Sequence, residues 1–245
     1  MNKTVIIIPS RLTAVRLPNK PLLEIDNKPI IIHVLDRAKE SKIGDVVVAT
    51  PDKEIFDLVK KNSGKAFMTN QKHSTGTDRV YEALQKLSDD KINLIINLQG
   101  DMPNIKPKSI LKLEKLMRDN NCDIGTLASP LKENEIYNKN IVKVYVEKEL
   151  KEDSFVNAKD FIREPIATYD LKYLYHHIGI YAFTKHALIK YVKLARSKME
   201  IKRNLEQLRA LDNNIAIKIG LSNSTPLGID TKEDFLSIKK SMEYK

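Results

Sequence analysis

The chain has 245 residues and a mass of 28.0 kDa, and 42% of its residues are hydrophobic, enough for a sizeable core and too many for a disordered polar tail. It contains no apolar run of the ~18 residues that a membrane-spanning helix needs, and its first residues lack the pattern of a secretory signal, so a cytoplasmic protein is expected. The lone Cys122 excludes an intramolecular disulfide and a cysteine-clustered zinc site, fits a reducing compartment, and leaves oxygen as the expected ligand of any metal.

Forty-two Lys and Arg against 32 Asp and Glu give a net charge of +10 and a pI near 9.4. Nucleic acid, an anionic membrane surface and a small polyanionic substrate are all compatible with that balance. Lysines set singly on solvated helix faces account for much of it without any partner. No dense Arg/Lys block and no basic stripe interleaved with aromatics points to a nucleic-acid groove.

In chain order, Val5-Ile6-Ile7-Ile8 ends at Pro9 and reads as a strand buried on both faces. Apolar positions at helical spacing predict a helix from Pro29 to Ser41, and Val46 to Thr50 predicts a second strand, closing one β-α-β unit. A helix from Ile55 to Lys61, a short strand from Ala66 to Thr69 and a helix from Asp78 to Leu87 follow. Leu94 to Leu98 is another buried strand, and Ser109 to Arg118 the next amphipathic helix. Beyond about residue 125 the pattern changes. Val142 to Val146 reads as an exposed strand, 147–175 as polar and irregular, and Ile178 to Phe183 as a strand. Helices at Lys185 to Arg196 and Asn204 to Leu211, a strand at Ile215 to Ile219 and a helix at Thr231 to Met242 complete the chain.

Strands alternating with helices imply an α/β fold with a mostly parallel sheet and right-handed crossovers. With no long linker and no repeat, residues 1–245 are expected to form a single domain carrying an inserted lobe at roughly 130–200. Ligands of such sheets bind beyond the carboxyl ends of the strands, so function is sought in the loops after Ile8, Thr69, Leu98 and Ile219.

The first of these loops holds Arg11, Arg16 and Lys20. Three cations at one strand mouth suit a triphosphate or pyrophosphate, Arg offering a planar fork and Lys a point charge, although a solvated basic loop would look the same. The loop is neither a P-loop nor a GxGxxG turn. Asp101 follows Gln99-Gly100 directly after a buried strand, where a carboxylate meets phosphates through Mg²⁺; taken alone, an Asp at such a place is a helix cap or turn residue more often than a ligand. In Thr225-Pro226-Leu227-Gly228-Ile229-Asp230-Thr231, a capping box of Thr231 with Asp234 leaves Asp230 free. If its strand runs parallel to the first, Asp230 shares one end of the sheet with Asp101, and the pair with the basic loop forms a coherent nucleotidyl-transfer site.

Six segments, in order over nearly the whole chain, resemble the 3-deoxy-manno-octulosonate (Kdo) cytidylyltransferases: Ile7 to Arg11 with Arg16 to Leu22, His73 to Arg79, Asn97 to Asp101 with Pro103, His177 to Tyr181, Leu205 to Arg209, and Gly228 to Thr231. The resemblance implies a Rossmann-like nucleotide-diphosphosugar transferase fold, a homodimer, and synthesis of CMP-Kdo from CTP and Kdo for lipopolysaccharide assembly, with release of pyrophosphate. It implies that Arg11, Arg16 and Lys20 hold the triphosphate, that Thr75, Gly76, Thr77 and Arg79 surround the cytosine and ribose, and that Asp101 and Asp230 bind Mg²⁺. It places Gln99, His177, Tyr181 and Glu206 against the sugar.

The chain departs from the family pattern where the sugar binds. The usual Phe-Ser-Arg-x-x-Ile-Pro segment appears as Phe161-Ile162-Arg163-Glu164-Pro165-Ile166-Ala167, with extra polar residues before it, and Arg203 stands at an acidic position. Arg163 is the best local anchor for a sugar carboxylate, and an amino-substituted Kdo or another 2-keto sugar acid is the alternative substrate. A basic nucleic-acid-binding or interaction protein is the reading from another class; paired carboxylates in a basic cleft speak against it. His33 and Cys122 read as structural, and His177 is preferred over His176 for its place ahead of Ile178-Gly179.

Overall fold

Uninterrupted runs of β-branched residues make strands that bury both faces, and the amphipathic stretches between them supply the helices that cover those faces. The computed structural model describes residues 3–13 and 16–243. Its strands and helices are β1 (Lys3–Pro9), β2 (Glu24–Ile25), β3 (Lys28–Pro29), α1 (Ile30–Glu40), β4 (Gly44–Thr50), α2 (Lys53–Lys61), β5 (Lys65–Met68), α3 (Gly76–Leu87), β6 (Ile92–Leu98), α4 (Pro107–Asp119), β7 (Ile124–Pro130), β8 (Lys143–Val146), β9 (Phe155–Ile162), β10 (Leu174–Thr184), α5 (Lys185–Val192), α6 (Lys198–Arg203), α7 (Leu208–Asp212), β11 (Ile217–Leu221) and α8 (Lys232–Glu243). They fall into two compact units, Met1–Leu111 with Pro226–Lys245, and Lys112–Thr225. Among the described residues no helix is long and apolar enough to cross a membrane.

In the first unit the strand order is β5-β4-β1-β6 and every pairing is parallel. Val5, Ile6, Ile7 and Ile8 have no exposed surface, as a central strand requires. The chain leaves β1 toward β4 and β5, then returns through α3 to lay β6 on the other side of β1. That reversal is a topological switch point, where the loops after β1 and β6 diverge and leave room for a ligand. Asp26 and Asn27 take left-handed conformations, φ 49° and 54°, in the two-residue turn joining β2 to β3. Behind that hairpin Ile25, Ile30, Ile229 and Ile238 form a buried cluster, with Leu17, Leu23, Phe235 and Met242 packed against it. The cluster ties α8 and the 226–231 loop to the hairpin, and it fixes the backbone on either side of Asp230.

In the second unit the order is β10-β7-β11-β9-β8, and β8 pairs again with β10, so the pairings close into a ring. Only β7 with β11 is parallel. The α/β class is as expected, and the sheet is mixed: parallel in the first unit, mainly antiparallel in the second. β10 slips register against β7 between Ile178 and Tyr181, and the buried Thr126 hydroxyl lies 3.0 Å from the Ile178 carbonyl and 2.6 Å from that of Ile180. This bulge turns the following side chains of β10 relative to those before it.

Four expectations for this unit change. β8 is not exposed, since Lys143, Val144 and Val146 are buried. The stretch 147–175 is not irregular throughout, because β9 crosses it and pairs on both edges. The helix expected from Lys185 to Arg196 stops at Val192. The helix expected from Asn204 to Leu211 begins only at Leu208, as α7, and an unexpected short helix, α6, precedes it and ends at Asn204, its left-handed cap (φ 52°). Glu200 of α6 and Arg209 of α7 then meet in a fully buried two-pronged pair, Nε to Oε2 at 2.8 Å and Nη2 to Oε1 at 2.7 Å. Arg209 also lies over the Tyr191 ring, 5.0 Å from its centroid. Removing one partner of such a pair costs roughly 3–5 kcal/mol, because the other charge stays buried.

Candidate active site

The loops after β1 and β6 approach closely because residue 100 has no side chain. A Cβ on Gly100 would stand 3.1 Å from the Pro9 carbonyl oxygen and 3.3 Å from both Ser10 Cβ and Ile31 Cδ1. Asp101 follows, and its carbonyl accepts the Ile229 N–H at 3.0 Å. Ile229 is fully buried, so its neighbour Asp230 is held beside Asp101 with its carboxylate partly in solvent. Asp234 accepts from the Asp230 and Thr231 N–H groups, at 3.1 and 2.9 Å, and donates its own N–H to the Thr231 hydroxyl. The expected capping box therefore forms, and Asp230 is spared from it.

Lys20, on the turn after the basic loop, reaches both carboxylates. Its Nζ is 2.7 Å from Asp101 Oδ2 and 3.3 Å from Asp230 Oδ1, with only 14% of the side chain exposed. Burial alone would lower the pKa of the ammonium, but the two carboxylates outweigh it and raise the value. Arg16 Nη2 lies 2.8 Å from Asp230 Oδ2. Four of the five residues expected to handle phosphate and metal thus meet in one cluster. The fifth, Arg11, is exposed and near enough to Arg79 for its charge to help lower the Arg79 pKa, after burial.

Asp101 and Asp230 already share one cation, the Lys20 ammonium, and carboxylate oxygens are the hard donors that Mg²⁺ prefers. Among the described residues no group of three or more His, Cys, Asp and Glu side chains could hold a metal ion. Two carboxylates fit a Mg²⁺ whose other ligands are phosphate oxygens and water.

The turn at the start of α3 lies in the same unit. Thr75 caps the helix, its hydroxyl accepting the Asp78 N–H at 3.2 Å and donating to Asp78 Oδ2 at 2.8 Å. Arg79 is buried and donates to the Thr69 hydroxyl and, at 3.1 Å, to the Asn70 carbonyl. Buried Asn97 links the turn to β6: its amide group is 3.4 Å from the Thr77 hydroxyl, and its Oδ1 accepts from Gln99 Nε2 at 2.9 Å. With its NH₂ so used, Gln99 turns its carbonyl oxygen toward Gly76, 3.7 Å from where a Cβ would stand. Gln99, expected against the sugar, therefore presents an acceptor beside the nucleotide turn.

The other expected sugar residues lie in the second unit. His177 Nε2 is 3.3 Å from the Thr126 hydroxyl, its ring 5.1 Å from that of Phe161 and 5.4 Å from that of Tyr181. Burial, helped by His176, pushes its pKa down to about 3, so the ring is neutral at pH 7. The Tyr181 hydroxyl is buried with no hydrogen-bond partner among the described residues; burial and the nearby Glu206 charge raise its pKa. The Glu206 carbonyl accepts from the Tyr191 hydroxyl at 2.8 Å. Arg163, just past β9, donates to the carbonyls of Lys139, at 3.0 Å, and Asn140, at 3.4 Å. His176 faces Glu135 at 3.2 Å, and His33 binds the Ile25 carbonyl at 2.8 Å, both in structural settings.

Lys143 escaped the sequence reading. It is fully buried, and its Nζ donates to the Asn138 carbonyl at 2.6 Å and the Arg163 carbonyl at 2.7 Å. The one available signal was a lysine between Val142 and Val144 in a strand whose other positions are apolar.

A family model described as Cytidylyltransferase matches residues 5–219. The 3-deoxy-manno-octulosonate cytidylyltransferases of Brucella anthropi and Brucella canis are 42% and 43% identical to this chain over 234 residues, spanning 95% of it and 93% and 92% of their own lengths. A solved structure of CMP:2-keto-3-deoxy-manno-octonic acid synthetase complexed with CTP matches at a TM-score of 0.89 with 35% identity, covering 99% of both chains. The 4-diphosphocytidyl-2C-methyl-D-erythritol synthase of Anaerococcus prevotii shares the fold alone, with a TM-score of 0.67 and 17% identity over 99% of each chain.

Proposed function

This chain belongs to the 3-deoxy-manno-octulosonate cytidylyltransferases, and we propose that it joins CTP to Kdo, giving CMP-Kdo and pyrophosphate for lipopolysaccharide assembly. The anomeric hydroxyl oxygen of the sugar forms a bond to the α-phosphorus, the α–β phosphoanhydride bond breaks, pyrophosphate leaves, and the hydroxyl proton is released. The observation that carries this reading is the convergence on one nitrogen, Lys20 Nζ, of two carboxylates from separate loops, with Arg16 on the second.

Arg11, Arg16 and Lys20 hold the triphosphate and stabilise the charge that accumulates on the leaving pyrophosphate. Thr75, Gly76, Thr77 and Arg79 shape the turn that receives cytosine and ribose. The capped start of α3 and the buried Arg79 support that role, since both keep the turn rigid. Asp101 and Asp230 hold Mg²⁺, which when bound screens the phosphate charge and polarises the α-phosphate toward attack. When nucleotide and metal arrive, Lys20 exchanges its carboxylate contacts for phosphate oxygens.

The sugar acid is taken by Gln99, His177, Tyr181, Glu206 and Arg163. Tyr181 offers a buried hydroxyl for a sugar oxygen, and His177, neutral and held through Nε2, offers a hydrogen-bonding ring rather than a charge. Arg163 meets the carboxylate, since a guanidinium bonds an ionised oxygen more strongly than the neutral carbonyls of Lys139 and Asn140. The protein works as a single nucleotidyltransferase domain, as a homodimer in the cytoplasm, with no nucleic-acid partner and no membrane insertion. Pyrophosphate release with CTP, Mg²⁺ and a panel of sugar acids tests the assignment. Release with Kdo is expected, and release only with an amino-substituted Kdo or another 2-keto sugar acid would reassign the substrate.

A further inference from the structure

Between Thr69 and Thr77 no side chain is buried, so the segment leading into the nucleotide turn has no apolar anchor and polar contacts must hold it. Those contacts converge on Glu82, the seventh residue of α3. Its Oε2 accepts the Asn70 N–H at 2.8 Å and His73 Nε2 at 2.5 Å, and its Oε1 takes Lys86 Nζ at 2.8 Å. A solvated Glu–Lys pair one helical turn apart would leave the second oxygen to water. Here that oxygen closes a loop of twelve residues by a backbone hydrogen bond and the side chain is only 22% exposed. Burial would raise the pKa of the carboxyl, but hydrogen bonds from Lys86, Asn70 and His73 hold it down at about 2. Three positions earlier on the same helix face, Arg79 binds Thr69 and the Asn70 carbonyl. Arg79 and Glu82 together grip both polar groups of the Asn70 backbone.

We propose that Glu82 is a positioning residue for nucleotide binding: it fastens the Asn70–His73 segment to α3, so that the Thr75–Arg79 turn is preformed when CTP arrives. The proposal rests on the reading that this turn receives CTP. Glu82 itself touches no substrate. Its effect runs through His73 and Asn70 and falls on the nucleotide, because His177, Tyr181, Glu206 and Arg163 belong to other segments and Gln99 is held by Asn97 of β6.

The test compares wild type with Glu82→Ala, Glu82→Gln, His73→Ala and the Glu82→Ala/His73→Ala double variant by CTP calorimetry, melting curves and steady-state kinetics. Loss of the carboxylate contacts is expected to weaken CTP binding and raise the CTP KM by about tenfold or more. The Kdo KM and kcat should stay within about twofold of wild type, the signature of lost ground-state binding. Glu82→Gln, which keeps a neutral acceptor, should fall between wild type and Glu82→Ala, and His73→Ala should add little in the Glu82→Ala background. Unchanged CTP affinity in Glu82→Ala would overturn the proposal and leave the assigned reaction standing. Equal losses in both KM values, kcat and melting temperature would overturn it as well, making Glu82 a general support. If wild type itself fails to bind CTP, the functional reading falls first and the proposal with it.

Discussion

Lys20→Met removes the cation between Asp101 and Asp230 while keeping most of the side-chain volume. In the protein without nucleotide the two carboxylates then face each other with only Arg16, on Asp230, to offset their charge. With an effective dielectric near 20 and charges that reach solvent, the repulsion that replaces the two contacts is on the order of 1–2 kcal/mol. For a chain of this size that corresponds to a fall in Tm of about 2–8 °C. The structure predicts a second effect of opposite sign, because a divalent ion alone must displace Lys20 in wild type but not in the variant. Mg²⁺ without nucleotide should therefore raise the Tm of Lys20→Met clearly and that of wild type little. CTP binding in the presence of Mg²⁺ should weaken by roughly tenfold to a hundredfold, since one charge-assisted contact to phosphate is lost. Melting curves with and without Mg²⁺, and a CTP titration by calorimetry, measure all three effects. An unchanged Tm, no gain in response to Mg²⁺ and unchanged CTP affinity would mean that the Lys20 contacts are incidental.

The carboxylates themselves are tested by Asp101→Asn and Asp230→Asn, each expected to fold normally and to lose activity by about a hundredfold or more, because an amide of the same shape brings no charge to a metal; near-normal turnover with unchanged Mg²⁺ dependence would remove them from the site. Arg163→Ala should raise the KM for the sugar and leave CTP affinity intact; equal effects on both substrates, or on neither, would make Arg163 a strut for the 139–140 carbonyls. His177 titrates near 3 in the folded protein and ordinarily near 6.5, so the unfolded chain binds its proton first as pH falls. Its contribution to stability is present above pH 6.5 and is lost between 6.5 and about 3, at most about 1.4 kcal/mol per pH unit. His177→Gln should accordingly flatten the fall in Tm across that window, and parallel curves for the two proteins would contradict a buried neutral imidazole.

The first unit was readable because parallel strands buried on both faces leave continuous apolar runs, as in Val5 to Ile8 and Leu94 to Leu98. β7 left no such run. Its segment Ile-Gly-Thr-Leu-Ala-Ser-Pro is buried up to Ser129 yet built largely of small residues. A Cβ on Gly125 would stand 2.5 Å from Phe155 and 2.6 Å from Met117, so the bulk that fills this part of the core comes from neighbouring elements. β9 was hidden by Asn157, Lys159 and Asp160, which share the strand with buried Val156, Ala158 and Phe161. The carboxylate cluster was legible in part: Asp101 stands at the end of β6 as the alternation implied, whereas Asp230, before α8, is brought to it by the Ile229–Asp101 backbone bond and the isoleucine cluster. What supports the site was not legible. Glu82 looks like any surface glutamate in a helix, and its contacts with Asn70 and His73 arise only when the segment folds back on α3. Gln99 and Asn97 stand in a recognisable motif, but the direction of the Gln99 amide follows from a side-chain bond that spacing does not reveal.

Transfer of CMP from CTP to the anomeric oxygen of Kdo can be followed by phosphorus NMR of purified protein with CTP, Mg²⁺ and Kdo. A phosphodiester signal of CMP-Kdo growing in step with one equivalent of pyrophosphate, and only when both substrates are present, is the predicted result. Pyrophosphate released at the same rate without Kdo, or no phosphodiester with Kdo while another sugar acid gives one, would contradict it.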